Sequence, residues 1–347
     1  MVFILENLKS PAFIKTTAGR QIKDKLEAQI IEQLRLEPLM VDELAAAFDQ
    51  LAVRWVVLSG GEAMQHPEWP AIARRLRGAD RQIMLLTNGL LLRKQIDDVL
   101  ATIDEVVVSM DAGTAPTYDA IRGVDAFDLV LDGIRAVRAG GVPVTTRTTV
   151  QRANYREIPQ IIDACKAADV NHISFLTVDV SNPFAFGPRF EQNGAVIPAA
   201  DIALGAPAEH GPPAAALMAA DIDELGVILD EVEQRYAADF ASGRMSESPE
   251  KLRGMLTYFG AVNGTDAFDG PRCNAPRISA VIEVDGTLRP CYFLPAWGKL
   301  RRGRSLAESL NDAEAVALRQ AQRRGERHEC ARCVCPLYKG PRTLLRL

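Results

Sequence analysis

No cysteine precedes Cys165 in this chain of 347 residues. That absence excludes thiolate-held metal from the first half, because iron–sulfur clusters are bound through cysteine sulfur almost without exception. An apolar run of roughly eighteen residues, the length needed to cross a bilayer, is also missing. The N-terminal stretch Met1-Val2-Phe3-Ile4-Leu5-Glu6 lacks the basic region and long apolar core of a secretion signal. Charge of one sign is scarce: the net charge of −5 gives no electrostatic case for nucleic acid. The one basic run, Lys299-Leu300-Arg301-Arg302-Gly303-Arg304, reads as a solvated loop. The expectation is a cytoplasmic protein with no nucleic-acid or membrane partner. Hydrophobic content of 48% over this length allows one large domain and a smaller one.

Apolar runs and helical patterns alternate through the first half. Candidate strands are Phe13–Thr17, Arg54–Ser59, Gln82–Thr87, Glu105–Met110, Val144–Val150 and His172–Val178. Candidate helices between them are Val41–Leu51, Trp69–Arg77, Lys94–Thr102, Phe127–Ala139 and Tyr155–Ala168. Strands with few polar residues, alternating with amphipathic helices, imply a parallel sheet covered on both faces. Right-handed crossovers curl such a sheet one way, so an α/β fold is predicted, a partial (β/α)6 TIM-like barrel over residues 1–178. Residues 179–260 read as a connector, rich in Pro, Ala and Gly up to Ala219. Helices follow at about Ile222–Ala241, with Asp221 as N-cap, and at Pro249–Phe259. Residues 261–347 form a small α+β module.

Ligands of such barrels gather at the C-terminal ends of strands, and the polar residues fall there. Ser59-Gly60-Gly61-Glu62 follows the second expected strand, and Leu86-Thr87-Asn88-Gly89 ends the third. Ser109-Met110-Asp111 ends the fourth, and Arg147 lies within the fifth. A Gly-Gly-Glu alone is weak, since glycines after a strand usually just make the turn. Motifs at successive strand ends are much stronger. Upstream, Thr17 to Glu27 keeps the frame T-x-x-C-x-x-x-C-x-x-C, with Arg20, Asp24 and Glu27 where the three cysteines would stand.

Together these residues resemble the radical S-adenosylmethionine (SAM) superfamily, over about Phe13–Val178. The resemblance implies that Gly60 and Gly61 let the backbone approach SAM and that Glu62 accepts from its amino group. Thr87 and Asn88 join the same set, Ser109 and Asp111 face the ribose, and Arg147 faces the carboxylate. Ala63 departs from the family's usual proline, which loosens the turn without removing a ligand. In that family three thiolates hold a [4Fe–4S] cluster whose fourth iron SAM chelates, and one electron then cleaves SAM to a 5′-deoxyadenosyl radical. Arg20 cannot ligate iron, because its guanidinium stays protonated. Asp24 and Glu27 are hard oxygen donors, suited to Mg²⁺ or Ca²⁺. Replacing all three is expected to abolish the site and to weaken SAM binding. The substituted segment also suits a helix over about Gln21–Leu36. Ile22, Leu26, Ile30 and Leu34 form its stripe, and the Arg20–Asp24 and Lys23–Glu27 pairs add ~0.2–0.5 kcal/mol each. A solvated loop and a new Asp24/Glu27 metal site are the alternatives.

The last quarter holds Cys273, Cys291, Cys330, Cys333 and Cys335. Without a secretion signal, such clustering points to metal rather than disulfides. A hairpin of Ile278–Val284 and Thr287–Phe293 is expected around Asp285-Gly286, read as a type I′ turn, with Cys291 in its second strand. A helix with Ala315, Leu318 and Ala321 on one face leads to the last three cysteines. Over about Arg272–Leu337 the pattern resembles the auxiliary-cluster (twitch, or SPASM-like) module attached to many radical SAM enzymes. It implies one auxiliary [4Fe–4S] cluster on Cys273, Cys291, Cys330 and Cys333, with Cys335 a spare or the true fourth ligand. Spacing alone leaves a four-cysteine zinc site open. Cys165 reads as a small core residue and His328 as solvated surface.

The functional expectation is a protein that has lost SAM cleavage and acts as a binding or accessory protein in peptide or small-molecule maturation. Its partner would be an active radical SAM enzyme or the substrate itself. Alternatives are polar methyl or carboxypropyl transfer from SAM, with Glu62, Asp111 or His172 as base, and electron transfer through the auxiliary cluster.

Overall fold

Three consecutive valines, Val106, Val107 and Val108, are buried in the strand Glu105–Ser109. Only a strand covered on both faces hides such a run. The computed structural model describes residues 38–78, 81–180, 191–192, 195–196, 215–301 and 303–338. Five parallel strands, β1 (Trp55–Leu58), β2 (Gln82–Thr87), β3 (Glu105–Ser109), β4 (Val144–Val150) and β5 (His172–Thr177), pair in the order β1-β2-β3-β4-β5. The order never reverses, so right-handed crossovers place all connecting helices on one side. These are α1 (Pro38–Gln50), α2 (Trp69–Leu76), α3 (Ile96–Thr102), α4 (Ala115–Arg122), α5 (Phe127–Ala139) and α6 (Ile158–Ala167). Val130, Ile134 and Val137 of α5 and Ile161, Ile162 and Cys165 of α6 join Val106 and Val108 in one buried core.

The five expected strands in this range form within a residue or so of their predicted ends. The expected strand Phe13–Thr17 and helix Gln21–Leu36 lie outside the described residues. Helix α4 has no counterpart among the expected elements. It is barely two turns long and stops at Gly123, whose φ of 71° gives the left-handed cap. So short a periodic stretch carries little signal of its own.

Beyond β5 the sheet continues. Ile173 N–H donates to the Arg244 carbonyl at 2.7 Å, and Ser246 N–H donates to the Ile173 carbonyl at 2.9 Å. Arg244–Ser246 thus runs parallel to β5, although it lies in the expected connector. A short antiparallel pair, β6 (Glu191–Gln192) and β7 (Ala195–Val196), precedes α7 (Ala219–Arg235), α8 (Ala237–Ala241) and α9 (Pro249–Asn263). The single helix expected over Ile222–Ala241 therefore breaks at Tyr236, whose hydroxyl is anchored at 2.8 Å from Asp163 Oδ1. Asp221 is not the N-cap: it sits at the third helical position and accepts from Met218 N–H at 3.0 Å.

The C-terminal module has an antiparallel sheet, β10-β9-β8, of Val281–Ile282 (β8), Thr287–Arg289 (β9) and Gly298–Lys299 (β10). Around it stand α10 (Ala275–Ile278), α11 (Leu306–Leu310), α12 (Ala313–Arg323) and α13 (His328–Ala331). The hairpin is shorter than expected, because Ile278 ends a helix. Its turn is not type I′, which needs two positive φ angles. Gly286 N–H donates to the Glu283 carbonyl at 2.9 Å and only Gly286 is left-handed (φ 84°), a three-residue loop with a glycine bulge. Cys291 accordingly lies two residues past β9 rather than within it. Among the described residues no helix is long and apolar enough to cross a membrane.

Glu247 fastens the added strand to the barrel. Its buried carboxylate accepts from Phe175 N–H at 2.8 Å and from Ser174 Oγ at 3.1 Å. Glu247→Ala leaves a buried N–H unpaired and is expected to cost about 1–3 kcal/mol, read as a lower urea midpoint. Glu247→Gln, which keeps one acceptor, should cost less; an unchanged midpoint in the alanine variant would disprove this latch.

Candidate functional site

Strand register decides which polar residues share the barrel interior. Ser109 pairs with Arg147, and Arg147 with Ser174. Thr87 pairs with Val108, so the next step sets Asn88 beside Ser109. Side chains alternate faces along a strand, so Asn88, Ser109, Arg147 and Ser174 form one row across the sheet, from the ends of β2 and β3 to the middle of β4 and β5. Three of the four were predicted site residues.

Glu62 joins the first two strand ends. Its carboxylate accepts from Thr87 Oγ1 at 2.9 Å, from Asn88 N–H at 2.8 Å and from Met64 N–H at 3.1 Å. Only 7% of the residue is exposed. Burial raises its pKa, opposed by the hydrogen bonds from Asn88, Met64 and Thr87. Ala63, in the place of the usual proline, starts a single 3-10 turn that Glu62 caps. Thr87 Oγ1 also accepts from Gly89 N–H at 3.0 Å, and Asn88 Oδ1 from Leu90 N–H at 3.0 Å. Gly89 has φ of 85°, and a Cβ there would stand 2.9 Å from Val130 Cγ1. The Thr-Asn-Gly motif is thus a latch, a turn cap and a close approach in three successive residues. Gly60 is half-buried and Gly61 exposed just before Glu62.

Asp111 is 6% exposed and is also engaged inside the protein. It accepts from Thr149 N–H at 2.7 Å and pairs with Arg122 at 2.5 Å. Burial pushes its pKa up, against the opposing charge of Arg122 and the Thr149 hydrogen bond. Arg122 escapes sequence reasoning, because it comes from α4 and no spacing links it to Asp111. Arg147 is half-buried, and its Nε is buried with no hydrogen-bond partner. Its charge lowers the pKa of Cys335 against the rise from burial.

The five late cysteines share a neighbourhood. Burial pushes Cys291 up to about 11, with Cys273 and Cys335 adding to it. Cys330 rises to about 12 through burial, Cys291, Glu329 and Cys273. Burial raises Cys333 as well, and Cys335, Cys291 and Cys273 reinforce the shift. Cys335 rises through burial, opposed by Arg147 and Lys251. Such crowding penalises ionisation until a bound cation supplies counter-charge, as metal binding to thiols requires. Among the described residues no three His, Cys, Asp or Glu side chains make a site for one metal ion. Cys165 is fully buried in the core and His328 is exposed. His172 lies at the exposed start of β5, with Nδ1 3.0 Å from the Gly243 carbonyl.

A sequentially ordered parallel sheet with a polar row across its strands is joined to a cysteine-rich module, an arrangement that resembles the radical SAM fold. Residues 28–165 match the radical SAM superfamily model, and residues 273–334 match the SPASM iron–sulfur cluster-binding domain. The chain therefore contains a region similar to the radical SAM superfamily, followed by one similar to an iron–sulfur cluster-binding module. It is 36% identical over 141 residues to a probable GTP 3′,8-cyclase of Saccharolobus islandicus, covering 40% of this chain and 45% of that protein. An AdoMet-dependent heme synthase of Methanosarcina barkeri is 34% identical over 141 residues, 39% of each chain. The chain spans less than half the length of these curated relatives. Among solved structures, native anSMEcpe with bound AdoMet and Kp18Cys peptide superposes with TM-score 0.55 at 14% identity, over 81% of this chain and 74% of that one. Streptococcus suis SuiB bound to precursor peptide SuiA gives 0.52 at 15% identity, over 86% and 64%. At such identities the likeness is one of fold.

The Asp111–Arg122 pair can be tested through its pH dependence. Without Arg122 the native pKa of Asp111 moves further above the unfolded value, so the native state holds a proton the unfolded chain has released. Stability then falls as pH rises through that window. Arg122→Ala is expected to cost about 1–3 kcal/mol at neutral pH, shrinking toward about pH 4, the unfolded carboxylate value. A loss that stays constant over that range would rule out the ion pair as its cause.

Proposed function

We propose that this chain is a radical-SAM-type protein that no longer cleaves SAM and serves as a substrate-binding or accessory protein in peptide or small-molecule maturation. The carrying observation is the set Arg20, Asp24 and Glu27 in the frame of three cluster cysteines. The superfamily match begins at Ala28, directly after Glu27. What persists downstream is the binding scaffold, with Glu62 and Asp111 holding its loops. Gly60, Gly61, Glu62, Thr87, Asn88, Ser109, Asp111 and Arg147 form the proposed SAM-facing set, at weakened affinity.

Cys273, Cys291, Cys330 and Cys333 are the proposed ligands of one auxiliary [4Fe–4S] cluster, with Cys335 a spare or the true fourth ligand. Their crowding and burial fit the group, which would supply a redox centre or a structural tie. Two solved relatives in fold hold peptides, the Kp18Cys peptide and the precursor peptide SuiA, and a peptide is the proposed substrate here.

Anaerobic reconstitution should load about four irons per chain. Reduction in the presence of SAM should then yield no 5′-deoxyadenosine. A second cluster per chain, or 5′-deoxyadenosine in stoichiometric amount, would overturn the reading. A Cys273→Ser variant should lose the iron while an Asp24→Asn variant keeps it.

A further inference from the structure

A cavity of about 280 Å³ opens between the end of β5, the start of α9 and the cysteine-rich module. Drug-sized ligands occupy roughly 300–1,000 Å³, so this space suits one long side chain better than a whole cofactor. Phe175, Met255, Tyr258 and Phe268 supply apolar lining, the last two rings edge-to-face at 5.8 Å. Cys333 stands in its wall.

The charged lining is not balanced internally. Lys251 is matched to Glu247 at 3.5 Å. Glu250 and Asp269 are both exposed on the lining. Glu250 is hydrogen-bonded by Ser248 and its own backbone N–H but makes no ion pair, since the nearby cation Arg253 is already held by Asp230 at 2.6 Å and Glu233 at 2.8 Å. Asp269 makes no side-chain hydrogen bond or ion pair among the described residues. The Arg332 guanidinium lies 5.1 Å over the Phe268 ring, with no carboxylate against it. Two unmatched acids thus border an aromatic slot, with one unmatched guanidinium nearby.

We propose that this cavity receives a lysine or arginine side chain of a peptide. The cation meets Glu250 and Asp269, the methylene stem lies along Phe175, Met255 and Phe268, and a peptide carbonyl meets Arg332. A long basic side chain has the matching form, an apolar stem ending in charge. This assignment rests on the peptide-binding reading above and names the residue class that the site selects.

The test titrates the full chain, loaded with iron and sulfide, against fluorescein-labelled acetyl-Gly-Gly-Lys-Gly-Gly and its Arg, Gln and Glu counterparts, read by anisotropy. The basic peptides should bind about tenfold tighter than the Gln peptide, and the Glu peptide most weakly. The double variant Glu250→Gln/Asp269→Asn, checked for an unchanged melting curve, should lose that tenfold advantage and leave the Gln peptide unaffected. Equal affinity for all four peptides, or a double variant that still prefers the basic ones, would overturn the cavity assignment and leave peptide binding standing. No binding by any of the four at millimolar concentration would remove both.

Discussion

One carboxylate holds the mouth of this barrel in shape. Glu62 spans the gap between the loop after β1 and the end of β2 through hydrogen bonds to Met64, Thr87 and Asn88. A buried carboxylate is costly to desolvate, and three donors offset that cost only when both loops are in place. The latch therefore couples Gly60 and Gly61 to the Thr-Asn-Gly turn, and Asp111 repeats the device with Thr149 and Arg122. Motifs that resemble a ligand site are at once the fasteners of the strand ends. The geometry of these strand ends rests on the protein's own backbone N–H groups.

At the other end of the chain the thiols behave in the opposite way. Cys291, Cys330 and Cys333 are held where ionisation is unfavourable, by burial first and by one another second. Backbone N–H groups of Phe293 and Leu294 at Cys291, and the charge of Arg327 at Cys330, only partly oppose that shift. Between the barrel mouth and these thiols lie Arg147, Cys335 and the cavity beside Cys333, so the two halves meet over the strand ends.

Much of this was legible from local pattern. The strand Gln82–Thr87 and the helix Phe127–Ala139 follow directly from their buried apolar residues, and Val144–Val150 from its β-branched valines and threonines. Less regular stretches misled. Asp285-Gly286 signals a two-residue turn, but helix α10 shortens the first strand and the loop takes a third residue. Asp221 looks like an N-cap because caps are read from composition, yet the chain begins its helix earlier. Arg244–Ser246 carries no strand signal of its own, and only the open edge of β5 makes it one. The partners Arg122 and Glu247 come from elements whose position depends on packing. No spacing rule reaches them.

The order of residues alone determined the alternation of strand and helix, the polar residues at strand ends and the absence of sulfur at Arg20, Asp24 and Glu27. Those are properties of neighbours along the chain, where periodicity and side-chain chemistry act directly. Tertiary structure alone decided that Glu62 and Asp111 bind inward, that Arg122 meets Asp111, and that acids collect beside an aromatic slot next to Cys333. These contacts join residues dozens of positions apart. Their geometry exists only after hydrophobic burial has brought the elements together.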